Sequence, residues 1–168
     1  MKLSGGVEWA LHCCVVLTTA TEPVPAARLA ELHDVSGSYL AKQLQALSRA
    51  GLVGSTQGKA GGYVLTRSAE RITVLDVVTA VDGSRPAFTC TEIRRRGPLA
   101  APPEACTRPC AIARAMADAD AAWRAALQAI SVADLARSVD EDYGPTALAG
   151  IRHWLTGPDG DETGVPAS

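Results

Sequence analysis

The sequence predicts a mainly α protein: a winged helix-turn-helix domain with a two-stranded wing, followed by a long dimerisation helix. Three observations carry this prediction. Two short amphipathic segments, one with Leu29 and Leu32 and the next with Leu40, Leu44 and Leu47, are joined by a tight turn. A glycine-rich stretch, Gly58-Lys59-Ala60-Gly61-Gly62, separates the strand-like Leu52-Val53 from Tyr63-Val64-Leu65. Ile112, Met116, Ala119, Trp123, Ala126 and Ile130 alternate steps of four and three, the repeat of roughly 3.5 residues that pairs helices along a seam. Hydrophobic residues make up 47% but aromatics only 4%, and the apolar content is largely Ala, Leu and Val, which favours helix over a β-sandwich.

The elements follow in order. Residues 4–20 read as a helix with Ser4 as N-cap and Val7, Leu11, Cys14 and Leu17 on one side. Pro25 suits the first turn of a second helix that stops near Asp34. Ser36 can cap a third, Gly51 can end it in the left-handed conformation, and Ser38, Tyr39, Lys42 and Gln43 are expected to point outward from it as base or phosphate contacts. Lys59 is a further DNA candidate at the wing tip, where glycines let backbone approach phosphate closely. Thr73-Val74-Leu75-Asp76 opens another helix in capping-box fashion. Five prolines between Gly83 and Pro109 forbid a continuous helix, and so long a stretch without periodicity points to a functional loop. A capped helix from Ser131 and another over Thr146 to Thr156 complete the ordered part. The expected divisions are 1–83 for the DNA-binding domain, 84–109 for a ligand loop, 110–156 for the dimerisation and C-terminal helices, and 157–168 for a disordered tail.

No apolar run approaches the roughly 20 residues of a membrane span, and Glu8 and His12 interrupt any leader-like stretch, so a cytoplasmic protein with no membrane partner is expected. Five cysteines in a reducing compartment are then packing residues, reactive thiols or metal ligands rather than disulfides. The net charge of −2 conceals a local excess: residues 36–71 carry Lys42, Arg49, Lys59, Arg67 and Arg71 against Glu70 alone, a formal +4.

Several segments in this order resemble one family, the iron–sulfur winged-helix regulators that include IscR and NsrR, over residues 1–138. They are Pro25-Ala26-Ala27-Arg28-Leu29-Ala30-Glu31, Ser38-Tyr39-Leu40, Gly51-Leu52-Val53, Gly61-Gly62-Tyr63, Ile72 to Gly83, and Ile130-Ser131-Val132-Ala133-Asp134-Leu135. The resemblance implies a homodimer on a palindromic, inverted-repeat operator, with recognition helices in successive major grooves and a cysteine-bearing loop beside a long crossing helix. It departs from the family at Ala41, where a glutamate is usual, and at Gln57, where the wing arginine is usual, so base preferences do not transfer.

The loop cysteines are Cys90, Cys106 and Cys110, separated by fifteen and then three residues rather than by fives. Aligning Ile130 to Leu135 places Cys110 at the family's last cysteine. Cys106 and Cys110 supply two of the four terminal positions that a [2Fe–2S] cluster needs. Glu8 and His12, four apart on one helix face, have the spacing of two ligands to one metal and are the expected remainder, donated by the other subunit as the family precedent for Glu8 implies. This set is closest to the family's redox-sensing branch, typified by RsrR. Histidine and carboxylate in place of thiolates raise the reduction potential, and the oxidised form is the one expected to bind DNA. Trp9, about 100° round the helix from Glu8, is the expected relay to the recognition helix. Cys13 and Cys14 are expected in the core, His33 and His153 in packing or surface roles, and Arg94-Arg95-Arg96 as a solvated charge run. Three alternatives stand beside this reading. They are a nitric oxide sensor with a [4Fe–4S] cluster using Cys90, a zinc enzyme using Glu8, His12 and cysteines, and a metal-free winged-helix scaffold.

Overall fold

In the computed structural model, residues 3–58 and 61–157 are described. Among them, seven α-helices and one antiparallel pair of strands follow the predicted order. They are α1 (Gly5–Leu17), α2 (Ala26–Leu32), α3 (Gly37–Arg49), β1 (Val53–Thr56), β2 (Gly62–Leu65), α4 (Val74–Asp82), α5 (Ala111–Gln128), α6 (Val132–Tyr143) and α7 (Ala147–Thr156). Short 3-10 turns punctuate the chain at Ala69–Arg71, Ile93–Arg95 and Pro103–Cys106.

The apolar stripes of α1 to α4 and α6 meet in one core, in which Leu17, Leu29, Leu40, Leu44, Leu47, Val53, Ile72, Val77 and Val132 are essentially inaccessible. Each such side chain contributes about 1.5–3 kcal/mol on leaving water. Helix α1 runs through the middle of this core. Its residues Ala10, Cys13 and Cys14 have no exposed surface, and it packs on α3, α4, α6 and β2. Glu8 and His12 lie on its exposed side.

Between α2 and α3 the chain reverses in a few residues, with Asp34 in the left-handed region at φ 47°. Gly51, at φ 69°, ends α3 as its pattern predicts. The wing pairs Val53 with Leu65 through to Thr56 with Gly62. On the tip side of the pairing, Tyr63 exchanges two backbone hydrogen bonds with Val24, at 2.9 and 2.8 Å, so the segment leading into α2 lies alongside β2 as a third, single-bridge strand. Gly62 makes this possible, because a Cβ there would lie 2.4 Å from the Val24 carbonyl group.

Three local expectations are corrected. Ser4 and Ser36 occupy N-cap positions but bond no helix amide: Ser4 donates its amide and hydroxyl to the Asp82 carboxylate, and Ser36 pairs with the Ser38 hydroxyl. The helix bearing the apolar seam ends at Gln128, so Ile130 lies beyond it. There the Ile130 carbonyl accepts from Val74 and the Ile72 carbonyl accepts from Val132, an antiparallel bridge that ties the start of α4 to the start of α6. The expected capping boxes at Thr73/Asp76 and Ser131/Asp134 are both formed. At the far end, α7 is strapped to the winged domain: the Arg28 guanidinium stacks 3.9 Å above the Trp154 ring and donates to the Trp154 carbonyl, and Arg152 donates to Thr19. Residues 158–168, expected to form a tail, lie outside the described residues.

Two stability effects follow. Gly62→Ala must part the wing from Val24 and is expected to cost about 1–3 kcal/mol, a fall of several degrees in melting temperature measured by calorimetry. The Asp134 carboxylate accepts from the Ser131 hydroxyl and amide and from Arg137, which holds its pKa down from 3.8 to about 2. A depressed carboxylate stabilises the fold above its unfolded pKa, and the contribution disappears as pH falls through the folded one. Asp134→Asn is therefore expected to be less stable at neutral pH and to lose less stability between pH 3.8 and about 2 than the wild-type chain, as read by urea titrations across that range.

Candidate DNA interface and metal-ligating residues

Helix α3 presents one exposed edge. Ser38, Tyr39 and Lys42 lie on it, with Tyr39 40% accessible, and Gln45 and Arg49 extend the row toward the C-terminus. Gln45 and Arg49 follow Lys42 by three and seven residues, so the helical repeat that identified Lys42 also marks them. Gln43 is a correction. It is only 5% exposed and turns inward onto α1, where a Cβ on Gly6 would meet its amide oxygen at 2.5 Å. Being four residues from Tyr39, it shares that residue's face, and a Cβ on Gly5 would meet the Tyr39 hydroxyl at an ordinary contact distance of 3.6 Å. Helix α1 thus sits on the inner flank of the recognition helix. At the wing, Gln57 and Gly58 are exposed, whereas Lys59 lies outside the described residues. Arg67, part of the basic segment, is held at 3.2 Å by Asp76.

On α1, Glu8 and His12 project one turn apart and form no hydrogen bond or ion pair among the described residues. Trp9 is half-buried, its ring 5.9 Å from that of His33 at the end of α2, and the His33 ring lies 5.7 Å from that of His12. His33 is thus a packing residue. Burial, reinforced by the neighbouring His12, holds its pKa below the usual 6.5, and its Nε2 has no hydrogen-bond partner among the described residues.

The five cysteines fall into two groups. Cys13 and Cys14 are buried in the core, which pushes both thiols up to about 12 and keeps them protonated. Cys90, Cys106 and Cys110 lie on the loop side. Cys110 is the N-cap of α5, where its Sγ accepts the Ala113 amide at 3.2 Å, and this backbone hydrogen bond leads the causes that lower its pKa. The Cys90 Sγ lies 3.9 Å from the Cys110 Sγ and accepts from Glu92 at 3.4 Å. Cys106 is half-buried at the end of its 3-10 turn.

The arginine run is not uniformly solvated. Arg94 folds back, donating twice to the Glu92 carboxylate, at 2.5 and 3.0 Å, and once to the Arg108 carbonyl at 2.9 Å. The Glu92 hydrogen bond, followed by the charges of Glu92, Cys106 and Cys110, holds Arg94 firmly cationic. The guanidinium is thus anchored to the backbone at Arg108, midway in the chain between Cys106 and Cys110. Within one chain, and among the described residues, no group of three or more His, Cys, Asp or Glu side chains is gathered closely enough to hold a metal ion.

Helix α5 buries none of its residues completely. Trp123 and Leu127 pack on Val7, Val74 and Val78, whereas Ile112 is 67% and Met116 41% exposed. The apolar seam is therefore divided: its Trp123 end packs on the winged domain and its N-terminal end faces outward uncovered.

A helix-turn-helix with an exposed basic edge and an antiparallel wing defines the architecture of a DNA-binding transcription regulator. The chain belongs to the Rrf2 family, described as "Iron-dependent Transcriptional regulator", whose model matches residues 3–138. It is 42% identical over 76 residues to the HTH-type transcriptional regulator IscR of Klebsiella pneumoniae strain 342, covering 45% of this chain and 47% of that protein. The corresponding regulator of Escherichia coli O1:K1 / APEC is 41% identical over the same length. The chain thus spans about half the length of these curated relatives. Among solved structures, CymR of B. subtilis superposes with TM-score 0.65 at 23% identity, covering 82% of this chain and 98% of that one. IscR of T. potens gives 0.62 at 21%, covering 84% and 90%. These likenesses establish the winged-helix fold, and the named relatives are regulators rather than enzymes. No helix among the described residues is long and apolar enough to cross a membrane.

The exposed edge of α3 carries an expected outcome. Lys42→Ala should weaken binding to all duplexes alike and lower the slope of log affinity against log salt by about one, measured by fluorescence anisotropy. Gln43→Ala should instead lower thermal stability and leave that slope unchanged.

Proposed function

We propose that the chain is a homodimeric transcription regulator that binds an inverted-repeat operator and senses redox state through a [2Fe–2S] cluster held across the dimer interface. One observation carries this reading. A single chain anchors Arg94 on the backbone between Cys106 and Cys110, and holds Glu8 and His12 exposed on another helix without hydrogen-bond partners, and among the described residues it gathers no complete metal site. Two half-sites on one chain are what a shared centre between two copies requires. The uncovered stripe from Ile112 to Met116 adjoins Cys110 and gives the second copy an apolar surface to cover.

The donor set fits such a group. Cys106 and Cys110 would supply thiolates, with the Cys110 sulfur already accepting a backbone hydrogen bond and Arg94 offsetting negative charge. Glu8 and His12 of the other copy would supply a carboxylate and an imidazole. When bound, the cluster supplies reversible one-electron chemistry. The chain's own part is mechanical. Because Gly5 and Gly6 rest on Tyr39 and Gln43, any shift of α1 that follows a change at Glu8 or His12 displaces the recognition helix directly. Trp9 provides a second limb, acting through His33 at the end of α2.

A second reading has its own support. The 3.9 Å separation of Cys90 and Cys110 suits a site with Cys90 as third thiolate, the arrangement of a [4Fe–4S] nitric oxide sensor. Iron and sulfide counts on the anaerobic holoprotein by native mass spectrometry separate the two.

Protein purified without oxygen is expected to show visible charge-transfer absorption that is lost in Glu8→Ala, His12→Ala, Cys106→Ala and Cys110→Ala and retained in Cys90→Ala. The oxidised protein is expected to retard operator DNA in a mobility-shift assay and the reduced protein to release it. A colourless wild-type protein that regulates normally would overturn the proposal in favour of a metal-free binder.

A further inference from the structure

We propose that Cys90 and Cys110 are a disulfide-forming pair, bridged within one chain when peroxide meets the protein with its loop cysteines unligated. The two sulfurs are 3.9 Å apart although twenty residues separate them in sequence, and they need to approach by only about 2 Å to reach bonding distance. The two sulfurs sit in different settings: Cys110 is the N-cap of α5, whereas Cys90 is exposed on the irregular segment between α4 and the turn at Ile93–Arg95. The segment is already bent toward α5: Glu92 sits at φ 54°, its amide on the Cys90 sulfur, and its carboxylate holds Arg94, which in turn grips the Arg108 carbonyl two residues before Cys110. That chain of contacts spans the loop and keeps its two ends together.

The reaction balances with hydrogen peroxide as oxidant. The exposed Cys90 thiolate attacks one peroxide oxygen, the O–O bond breaks, and the departing hydroxide takes a proton to become water, leaving a sulfenic acid. The Cys110 thiolate then attacks that sulfur, the S–S bond forms, the S–O bond breaks, and hydroxide again leaves as water. Two thiols are oxidised and one peroxide is reduced to two waters. A dithiol reverses the step. Under the proposed function, in which Cys110 is a cluster ligand, the bridge also withholds that sulfur from iron until it is reduced.

The test uses full-length metal-free protein treated with hydrogen peroxide, alkylated, and mapped by mass spectrometry without reduction. The expected result is a loss of two hydrogens in most chains, a cross-link joining Cys90 to Cys110, an alkylated Cys106, and full reversal by dithiothreitol. Cys13 and Cys14, buried and protonated, should be alkylated only after unfolding. Cys106→Ser should keep the cross-link and Cys90→Ser should abolish it. A bridge from Cys106 to Cys110, a bridge between two chains, or an uncrosslinked Cys90 would overturn the proposal. Reconstitution with ferrous iron and sulfide separates this from the broader reading. If reduced protein never takes up colour but the cross-link forms, the cluster assignment fails and the thiol pair stands; if colour develops without the cross-link ever having formed, the reverse holds.

Discussion

The close approach of α1 to the recognition helix is the constraint on which the rest of the structure depends. Gly6 has no side chain, and the space so left is occupied by the amide of Gln43. Between about one and two turns further on, the same helix contributes Ala10, Cys13 and Cys14 to the most deeply buried part of the core. A helix fixed at that depth cannot flex locally, because protein interiors are close-packed and pass displacement on to their neighbours. Glu8 and His12, projecting from its outer side, are therefore joined rigidly to Tyr39 and Gln43 on its inner side. Under the proposed function, the sensing surface and the reading surface are two faces of one rod.

Electrostatics sorts the cysteines in the same way that packing sorts the leucines. Apolar surroundings keep Cys13 and Cys14 as neutral thiols, two small hydrophobic residues filling the centre of α1. At Cys110, the Ala113 amide of the helix N-terminus, together with the pinned Arg94 guanidinium, favours the opposite charge state. Arg94 owes its position to Glu92 and to a backbone carbonyl, so the positive charge is built into the loop's conformation. The Rrf2 assignment rests on the matched length of the chain.

Much of the fold was legible in the sequence because its signals are local. Leu40, Leu44 and Leu47 announce a helix by spacing alone, Thr73 with Asp76 and Ser131 with Asp134 announce helix starts, and glycines 58, 61 and 62 announce a wing. What escaped depends on contacts between elements distant in the chain. Nothing near Ser4 or Ser36 reveals that their hydroxyls find Asp82 and Ser38 instead of a helix amide. Gln43 reads as an outward polar residue until Gly6, thirty-seven positions earlier, is seen to make room for it. The helical repeat also ran one step too far at Ile130, where an antiparallel bridge took the backbone away from the helix. At the candidate site, the exposed placing of Glu8 and His12 on one helix face followed from their spacing, but the folding of Arg94 inward was hidden behind its resemblance to a solvated charge run.

That bridge between Thr73 and Ser131 has a consequence for how such chains diversify. It closes everything from α4 through the cysteine loop to the end of α5 into a single excursion whose two feet stand side by side. The entropy of closing an excursion grows only with the logarithm of its length, so residues can be gained or lost within it at little thermodynamic expense. A chemical module grafted at fixed attachment points is free to respace its thiols, and to acquire new chemistry, while the half of the molecule that reads DNA keeps its shape.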